Sequence, residues 1–223
     1  MDAVVGDRVV HRSLDVRVFG HPHIDERGKV RGALRLDGRG QYASLGRQHD
    51  TCLGNLDLCR HGLLLAAWIR PGTLVDGMDL ASTGANGVRL LYNDGRTRVT
   101  ARTSTHVWTT ETDAVRPQRW QFVEVDWSDE VGLTLYVDGR RVARAEHPAV
   151  RSTTGTVQPS PDHEQFYLGR GDGTLSHSRY GNMTIDEVEY WYGSRDQLLA
   201  FDYIQRGWTC SHRAPELVDY LLS

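Results

Sequence analysis

The chain contains no apolar run near the roughly 20 residues that a membrane-spanning helix requires. Its first residues, MDAVVGDRVV, also lack the basic-then-apolar pattern of a signal peptide. We therefore expect no membrane span in this segment, and either an intracellular chain or an excised piece of a larger secreted protein. Helix signals are scarce as well, and are confined to two C-terminal stretches, 194–207 and 214–223.

Lysine is nearly absent, because Lys29 is the single lysine among 26 basic residues. The formal net charge is −3, which gives no general attraction to nucleic acid, so we expect no nucleic-acid partner. Arginine suits planar recognition of carboxylate, sulfate or phosphate. Genome-wide composition is the alternative explanation for the arginine excess.

Motifs for catalysis and metal binding are also missing. The 10 histidines show no paired metal spacing, and HPH at 21–23 has no apparent third ligand. No Ser-His-Asp or Cys-His arrangement, P-loop or dinucleotide fingerprint can be identified. The sequence therefore offers no ready-made active site of these kinds.

The 3 cysteines predict one short disulfide. Cys52 and Cys59 lie in the loop-like stretch TCLGNLDLC, whose spacing suits a small disulfide-closed loop and does not suit a zinc ribbon. Two free thiols are the alternative. Cys210 is left over, and is either free or paired with a neighbouring module.

Short alternating segments separated by Gly, Asn and Asp dominate the rest of the sequence. Turn dipeptides at Asp94-Gly95, Asp138-Gly139 and Asp172-Gly173 punctuate these segments. GLLLAAWIRPG is a continuous apolar run of the length of a strand buried on both faces. The polar, proline-containing stretch 151–163 reads as a long surface loop. This spacing predicts an all-β sandwich.

Four segments in this order resemble laminin G-like domains, within the wider group of pentraxin-like and concanavalin A-like jelly rolls. They are ALRLDGRGQYASLG, HGLLLAAWIRP, RWQFVEVDWSDEVGLTLYVDGRRV and GNMTIDEVEYWYGSRDQLLAFDYIQRG. The resemblance implies an all-β, two-sheet antiparallel jelly roll with one or two short C-terminal helices. It implies an N-terminal extension at 1–30, the sandwich at 31–207 and a helical tail at 208–223. The cysteine pair before the buried strand is similar to a subset from animal cell-surface or matrix proteins.

The stretch WQFVEVDWSDE holds acids at a spacing that resembles the catalytic strand of laminarinase-type glycoside hydrolases. On a strand, Val123, Val125 and Trp127 share the core face, whereas Glu124 and Asp126 share the other face. The chain is expected to turn at Asp129 and Glu130 before a third carboxylate can join the pair. We therefore expect Glu124 and Asp126 to be solvated, with no catalytic residue. A hydrolase using the two acids is the alternative.

Calcium is a candidate cofactor, because the resemblance implies a rim site built from acids, amides and carbonyls. Asn86 occupies roughly the position at which the laminin-type motif carries an aspartate ligand. Asp37 and Asp186 form a second candidate set, since a jelly roll can bring its first and last strands together. At each position, a turn residue that caps its own backbone is the alternative.

Arg140, Arg141 and Arg144 are candidate ligand-binding residues for a sulfated glycan or an acidic partner. The strand period places Arg140 and Arg144 on one face, and a charged edge strand that discourages aggregation is the alternative. Trp108, in the polar strand TSTHVWTTET, is the tryptophan that we expect to be exposed and able to stack on a sugar.

Two tripeptides match common recognition patterns. Asn182 begins an N-glycosylation acceptor, Asn-Met-Thr. Arg170-Gly171-Asp172 spells an integrin-recognition tripeptide, although a turn at the end of a strand equally explains Gly171 and Asp172.

These observations favour a non-catalytic extracellular or cell-surface module that binds a protein or a glycan. The alternatives are a carbohydrate-active hydrolase that uses Glu124 and Asp126, and a structural spacer or oligomerisation domain. Fold does not dictate function, so the choice among these functions depends on the geometry of the site.

Overall fold

The computed structural model describes residues 3–5, 8–10, 16–29, 32–150, 161–173 and 179–196. Within these ranges the chain forms β-strands joined by turns, with two short 3-10 turns at Leu56–Leu58 and Pro161–Glu164. The strands are β1 (Ala3–Val5), β2 (Arg8–Val10), β3 (Arg17–Phe19), β4 (His23–Asp25), β5 (Ala33–Asp37), β6 (Tyr42–Arg47), β7 (Leu63–Pro71), β8 (Met78–Ser82), β9 (Val88–Asn93), β10 (Arg96–Arg102), β11 (His106–Thr112), β12 (Gln121–Ser128), β13 (Gly132–Val137), β14 (Arg140–Ala145), β15 (Ala149–Val150), β16 (Gln165–Leu168) and β17 (Asn182–Tyr192).

Two large sheets form the sandwich. The eight-stranded sheet has the order β15-β11-β10-β9-β8-β16-β6-β3, and the seven-stranded sheet has the order β14-β13-β12-β7-β17-β5-β4. The strands β1 and β2 pair as a separate hairpin. In both large sheets, the neighbouring strands of the described ranges pair antiparallel. This arrangement confirms the predicted two-sheet antiparallel sandwich.

The described residues end at position 196, so they include only the start of the predicted helix at 194–207, where residues 195 and 196 are helical. The predicted helix at 214–223 and Cys210 lie outside them. Most of the predicted loop at 151–163 also lies outside them. No helix in the described part of the chain has the length and apolar character of a membrane span.

The inward faces of the two sheets form one apolar core. Val123, Val125 and Trp127 on β12 are buried and point into this core, as the alternation predicts. Across the interface, the ring of Trp127 meets the ring of Trp108 on β11 edge to face, with the centroids 5.4 Å apart. The largest fully buried side chains are Trp108, Trp127, Phe166, Leu36, Leu45, Leu53, Leu56, Leu63, Met78, Leu80, Leu133 and Leu135.

Two of the three predicted Asp-Gly turns are tight two-residue hairpins. Asp94 and Gly95 have φ values of 51° and 76°, and Asp138 and Gly139 have φ values of 51° and 75°. Two successive residues with positive φ are typical of a type I′ turn, for which Asp-Gly is a preferred pair. The Asp138 carboxylate also accepts a hydrogen bond from the Phe122 backbone N–H at 2.9 Å.

The predicted disulfide between Cys52 and Cys59 is present. Its loop places Leu53 and Leu56 in the core. The Leu56 backbone N–H donates to the Asn86 carbonyl at 2.8 Å, which joins this loop to the turn between β8 and β9.

The expectation that Trp108 is exposed is wrong, because only 1% of its surface is accessible. The neighbouring Thr109 is exposed on the outer face of the eight-stranded sheet, whereas the Trp108 side chain itself alternates inward. Trp108 is therefore a core residue and not a ligand-binding one.

We predict that Trp108→Ala lowers the free energy of unfolding by about 3–5 kcal/mol, because it removes a fully buried ring from the contact between the sheets. Thr109→Ala, at the adjacent exposed position, should change it by less than about 0.5 kcal/mol. Urea unfolding followed by tryptophan fluorescence measures both. Equal small effects would show that the Trp108–Trp127 contact does not stabilise the sandwich.

Candidate functional site

The outer face of the seven-stranded sheet carries the two acids that the sequence singles out. Glu124 and Asp126 point outward from β12, and residues directly opposite each other on neighbouring strands share a face. Glu124 lies opposite Tyr136 on β13, and Phe122 lies opposite Trp68 on β7. We call the outward side chains of Glu124 and Asp126, with Tyr136 beside them, the acid face.

The acid face is buried, so the expectation that Glu124 and Asp126 are solvated is wrong. Glu124 is 7% exposed and Asp126 is 8% exposed. The alternation of side chains correctly predicted that both acids point away from the core. Nothing in the sequence of β12 shows that other residues cover this outer face. Asp129 and Glu130, in the turn after β12, are exposed as predicted.

Arg195, just after β17, covers the acid face through three contacts. Its backbone N–H donates to Asp126 Oδ1 at 3.0 Å, and its Nε donates to Glu124 Oε1 at 3.1 Å. Its guanidinium stacks over the Tyr136 ring, 4.3 Å from the centroid. One residue thus engages both carboxylates and the neighbouring aromatic ring.

The titration of Asp126 reflects this burial. Removal from water raises the pKa of Asp126 from 3.8 to about 6, although the Arg195 N–H and positive charge oppose the rise. The negative charges of Asp196 and Glu124 add to it. Burial, followed by the charge of Asp126, also raises the pKa of Tyr136.

Trp68, farther along the same outer face, is also covered by a distant segment. The Lys29 ammonium lies over the Trp68 ring, 4.5 Å from the centroid. The Lys29 backbone N–H donates to Asp186 Oδ2 at 2.7 Å. Asp186, which lies opposite Trp68 on β17, is thereby tied to the loop after β4.

The predicted calcium residues are not brought together. Asp37 lies opposite Asn182 at one end of β17, whereas Asp186 lies four positions farther along that strand. Asp37 is exposed, and its Oδ1 accepts a hydrogen bond from the Arg39 backbone N–H at 2.8 Å, which is the turn geometry named as the alternative. Asn86 belongs to a turn of the other sheet. Among the described residues, no group of three His, Cys, Asp or Glu side chains is placed to hold an ion. Calcium binding stays a prediction.

The three arginines lie exposed on β14, at one edge of the seven-stranded sheet. A bulge opposite Leu135 and Tyr136 shifts their register, so that Arg141 lies opposite Tyr136 and Arg140 lies opposite the core residue Val137. Arg141 and Arg144 therefore share the outer face. The expected pairing of Arg140 with Arg144 on one face is wrong, because the bulge inserts one residue between them.

The integrin-like tripeptide does not present its aspartate. Asp172 is 0% exposed, and its carboxylate lies 3.4 Å from Arg89 Nη1. Arg89 is itself buried and makes two hydrogen bonds to Asp79, at 2.6 and 2.9 Å. Asp172 thus belongs to a buried ion-pair network on the eight-stranded sheet, and an integrin could not reach it without unfolding this network.

Asn182 begins β17 and is only partly exposed. Its side-chain amide lies against Gly72, at which an added Cβ would meet Asn182 Oδ1 at 2.3 Å. A glycan attached to Asn182 would have to displace Gly72 from the Asn182 side chain. Glycosylation stays a prediction.

Sequence reasoning missed Arg195 altogether, since it lies 71 residues from Glu124 in a stretch interpreted only as a helix start. It also missed an exposed aromatic group formed by Phe19, Tyr42 and Tyr180. Phe19 lies in the N-terminal region assigned to an extension, and Tyr180 lies in a loop. No local periodicity marks either of them.

Solved structures with the same fold include both binding domains and parts of enzymes. Domain 4 of AbnA, a GH43 extracellular arabinanase from Geobacillus stearothermophilus solved with arabinotriose, has 16% identity and a TM-score of 0.53, with 78% of this chain and 77% of that chain covered. Domains LG4-5 of the mouse laminin alpha1 chain have 17% identity and a TM-score of 0.50, covering 71% and 40%. Trypanosoma rangeli sialidase has 18% identity and a TM-score of 0.55, covering 92% and 32%. At these identities the likeness shows the fold alone, and the chain spans less than half of the latter two proteins.

No curated protein is similar enough in sequence to match this chain. A laminin G family model, described as the concanavalin A-like lectin/glucanases superfamily, matches residues 37–197. This match covers most of the chain and includes β6 to β17, the acid face and the disulfide. The chain therefore belongs to the laminin G family of the concanavalin A-like lectin/glucanases superfamily.

Proposed function

We propose that this domain is a non-catalytic recognition module of a secreted or cell-surface protein, and that it binds a glycan or a protein partner. The contact of Arg195 with both outward carboxylates carries the proposal. Hydrolysis needs a carboxylic acid and a second carboxylate that both reach the glycosidic bond. Here one arginine engages both groups and leaves them less than a tenth exposed.

The disulfide supports the extracellular part of the proposal. Disulfides persist in oxidising environments and are rare in the cytosol. The fold also occurs in an arabinanase domain solved with arabinotriose and in the binding domain of a mosquitocidal protein. Recognition of a glycan or a receptor is therefore compatible with this architecture.

A hydrolase is the second candidate function, and the raised pKa of Asp126 favours it. A general acid must stay protonated near its working pH, which a pKa of about 6 allows. Glu124 and Asp126 also project from the same face of β12, as two carboxylates that act on one glycosidic bond must. Arg195 would have to leave the acid face for a sugar to bind between these carboxylates.

The arginine edge of β14 is the surface that suits an acidic partner. Arg141 and Arg144 are exposed on one face beside Tyr136, and each can bind a sulfate or a carboxylate. Arg144 Nη1 forms an ion pair with Glu146 Oε1 at 3.1 Å, so Arg141 is the stronger candidate for the ligand contact.

We expect no release of reducing sugar from arabinan, xylan or β-glucan by the wild-type domain, and the same absence for Glu124→Gln. Because the acid pair is covered, removing one carboxylate takes away nothing that acts on substrate. Turnover by the wild-type domain that Glu124→Gln abolishes, and that Asp129→Asn in the exposed turn retains, would establish the hydrolase instead.

Asp126→Asn should make the free energy of unfolding less dependent on pH. The pKa of Asp126 is higher in the folded state, about 6, than the ordinary 3.8. The folded protein therefore binds more protons between these values, and Asp126 destabilises the fold as pH rises from about 4 to 6. Above pH 6 the full penalty, at most about 3 kcal/mol, persists. The asparagine variant should be more stable than wild type at pH 8 and lose this advantage at pH 4.

Urea unfolding at pH 4, 5, 6, 7 and 8 measures this difference, with Asp129→Asn as the exposed control. Parallel curves for wild type and Asp126→Asn would show that Asp126 titrates normally in the folded domain.

For the arginine edge, we predict that Arg141→Ala weakens the retention of the domain on immobilised heparin, so that it elutes at lower salt. Arg140→Ala, which faces the other side of the same strand, is the matched control and should shift elution less. A loss of one charge–sulfate contact corresponds to roughly a threefold to tenfold change in affinity. Equal shifts for both variants would indicate a diffuse charge effect and no site on the outer face.

A further inference from the structure

An exposed group of aromatic rings lies at the β3–β6 edge of the eight-stranded sheet, away from the acid face. Phe19 is 39% exposed and Tyr180 is 37% exposed, and Tyr42 lies between them, half-buried. The Phe19 and Tyr42 rings stack with centroids 4.6 Å apart and planes 11° apart. The Tyr42 and Tyr180 rings are 5.9 Å apart and 23° from parallel. We call these three residues the aromatic patch.

Strand pairing and the Arg170 side chain hold the aromatic patch in place. Phe19 and Tyr42 lie opposite each other on paired strands, which fixes the backbone under both rings. The Arg170 guanidinium lies over the rings of Tyr42 and Tyr167, at 5.0 and 4.6 Å from their centroids. Such a preformed surface loses little conformational entropy when it binds a ligand.

The tyrosines of the patch have polar groups available to a ligand. In the described part of the chain, the hydroxyls of Tyr42 and Tyr180 make no hydrogen bond. Each hydroxyl can both donate and accept a hydrogen bond. Sugar hydroxyls require such partners at the rim of an aromatic surface on which the sugar ring stacks.

A polar loop, residues 37–41, borders the patch. An added Cβ at Gly38 would lie 3.1 Å from Asn182 and 3.5 Å from the Tyr180 carbonyl, which places this loop against Tyr180. The Gln41 side chain holds the loop by bonding to the Asp37 backbone N–H at 2.9 Å and the His21 carbonyl at 3.2 Å. The rim is therefore ordered and rich in hydrogen-bonding groups.

We infer that the aromatic patch formed by Phe19, Tyr42 and Tyr180 is a binding site for a neutral sugar residue of a glycan. The exposed ring surface of Phe19 and Tyr180 binds the apolar face of a sugar ring, and the tyrosine hydroxyls and the loop bind its hydroxyls. The Asp37 carboxylate at the rim would repel an anionic ligand, and Arg39 and Arg170 would repel a cationic one, which favours a neutral sugar. A protein partner would need a much larger apolar area than three rings surrounded by polar groups.

This inference names a ligand class and a site for the proposed recognition function, on which it rests. Affinity electrophoresis in gels that contain arabinan, xylan or β-glucan tests it directly. We expect the wild-type domain to be retarded by at least one of the three. Tyr180→Ala and Phe19→Ala should each weaken that binding by about tenfold, because each removes part of the exposed aromatic surface.

Tyr180→Phe keeps the ring and loses the hydroxyl, so it should retain more affinity than Tyr180→Ala. Leu58→Ala, at a 50% exposed leucine in the disulfide loop, is the matched control and should bind as wild type. Circular dichroism and urea unfolding establish that the variants are folded.

Two outcomes would overturn the inference: a wild-type domain retarded by none of the three polysaccharides, or one whose retardation Tyr180→Ala and Phe19→Ala leave unchanged. Neither outcome contradicts the proposed recognition function, which a protein partner or an acidic glycan would still satisfy. Hydrolysis of the retarding polysaccharide would contradict the non-catalytic function and leave the site at the patch in place.

Discussion

The sandwich depends on the apolar contact between its two sheets, at the centre of which Trp108 and Trp127 meet. Each tryptophan is almost fully buried, and the two lie on strands of different sheets. Because side chains alternate along a strand, committing Trp127, Val125 and Val123 to this contact commits the residues between them to the opposite face. The direction of Glu124 and Asp126 therefore follows from the packing of their neighbours.

Outward direction did not make these acids solvent-exposed. A sheet has two faces, and in this domain residues distant in sequence cover parts of the second one. Arg195 covers Glu124 and Asp126, and Lys29 covers Trp68. Buried carboxylates are costly unless positive charge or hydrogen-bond donors accompany them. One arginine supplies both, and the raised pKa of Asp126 reflects the part of the cost that remains.

The same logic separates the surfaces that can bind a ligand from those already engaged inside the molecule. The carboxylates that resemble a hydrolase pair and the aspartate of the integrin-like tripeptide are all committed to internal arginines. The aromatic patch and the outward arginines of β14 are instead open to solvent. These contacts are the reason that we propose recognition and not catalysis.

Much of the architecture followed from local patterns. The strand alternation identified the core face of β12, the Asp-Gly pairs identified two tight hairpins, and the cysteine spacing identified the disulfide. Each of these features depends on the conformation of neighbouring residues, which a sequence records directly. Four motifs in order also predicted the family, to which residues 37–197 belong.

Most of the errors arose where distant residues or irregular strands decide the result, and one arose from composition. Trp108 was expected to be exposed because its neighbours are polar, but a single inward-facing position on a half-polar strand cannot be distinguished by composition. Arg140 and Arg144 were assigned to one face because a bulge in the partner pairing leaves no mark in the sequence. The pairing of Arg195 with Glu124 joins residues 71 positions apart, which no local pattern records.

The sequence by itself determined the sheet architecture, the core face of the strands and the family, because periodicity and turn chemistry act over a few residues. Only the tertiary structure decided which outward groups remain available to a partner. That outcome depends on which distant segment lies across each sheet face. Arg195 lies across the acid face, whereas more than a third of Phe19 and of Tyr180 stays exposed.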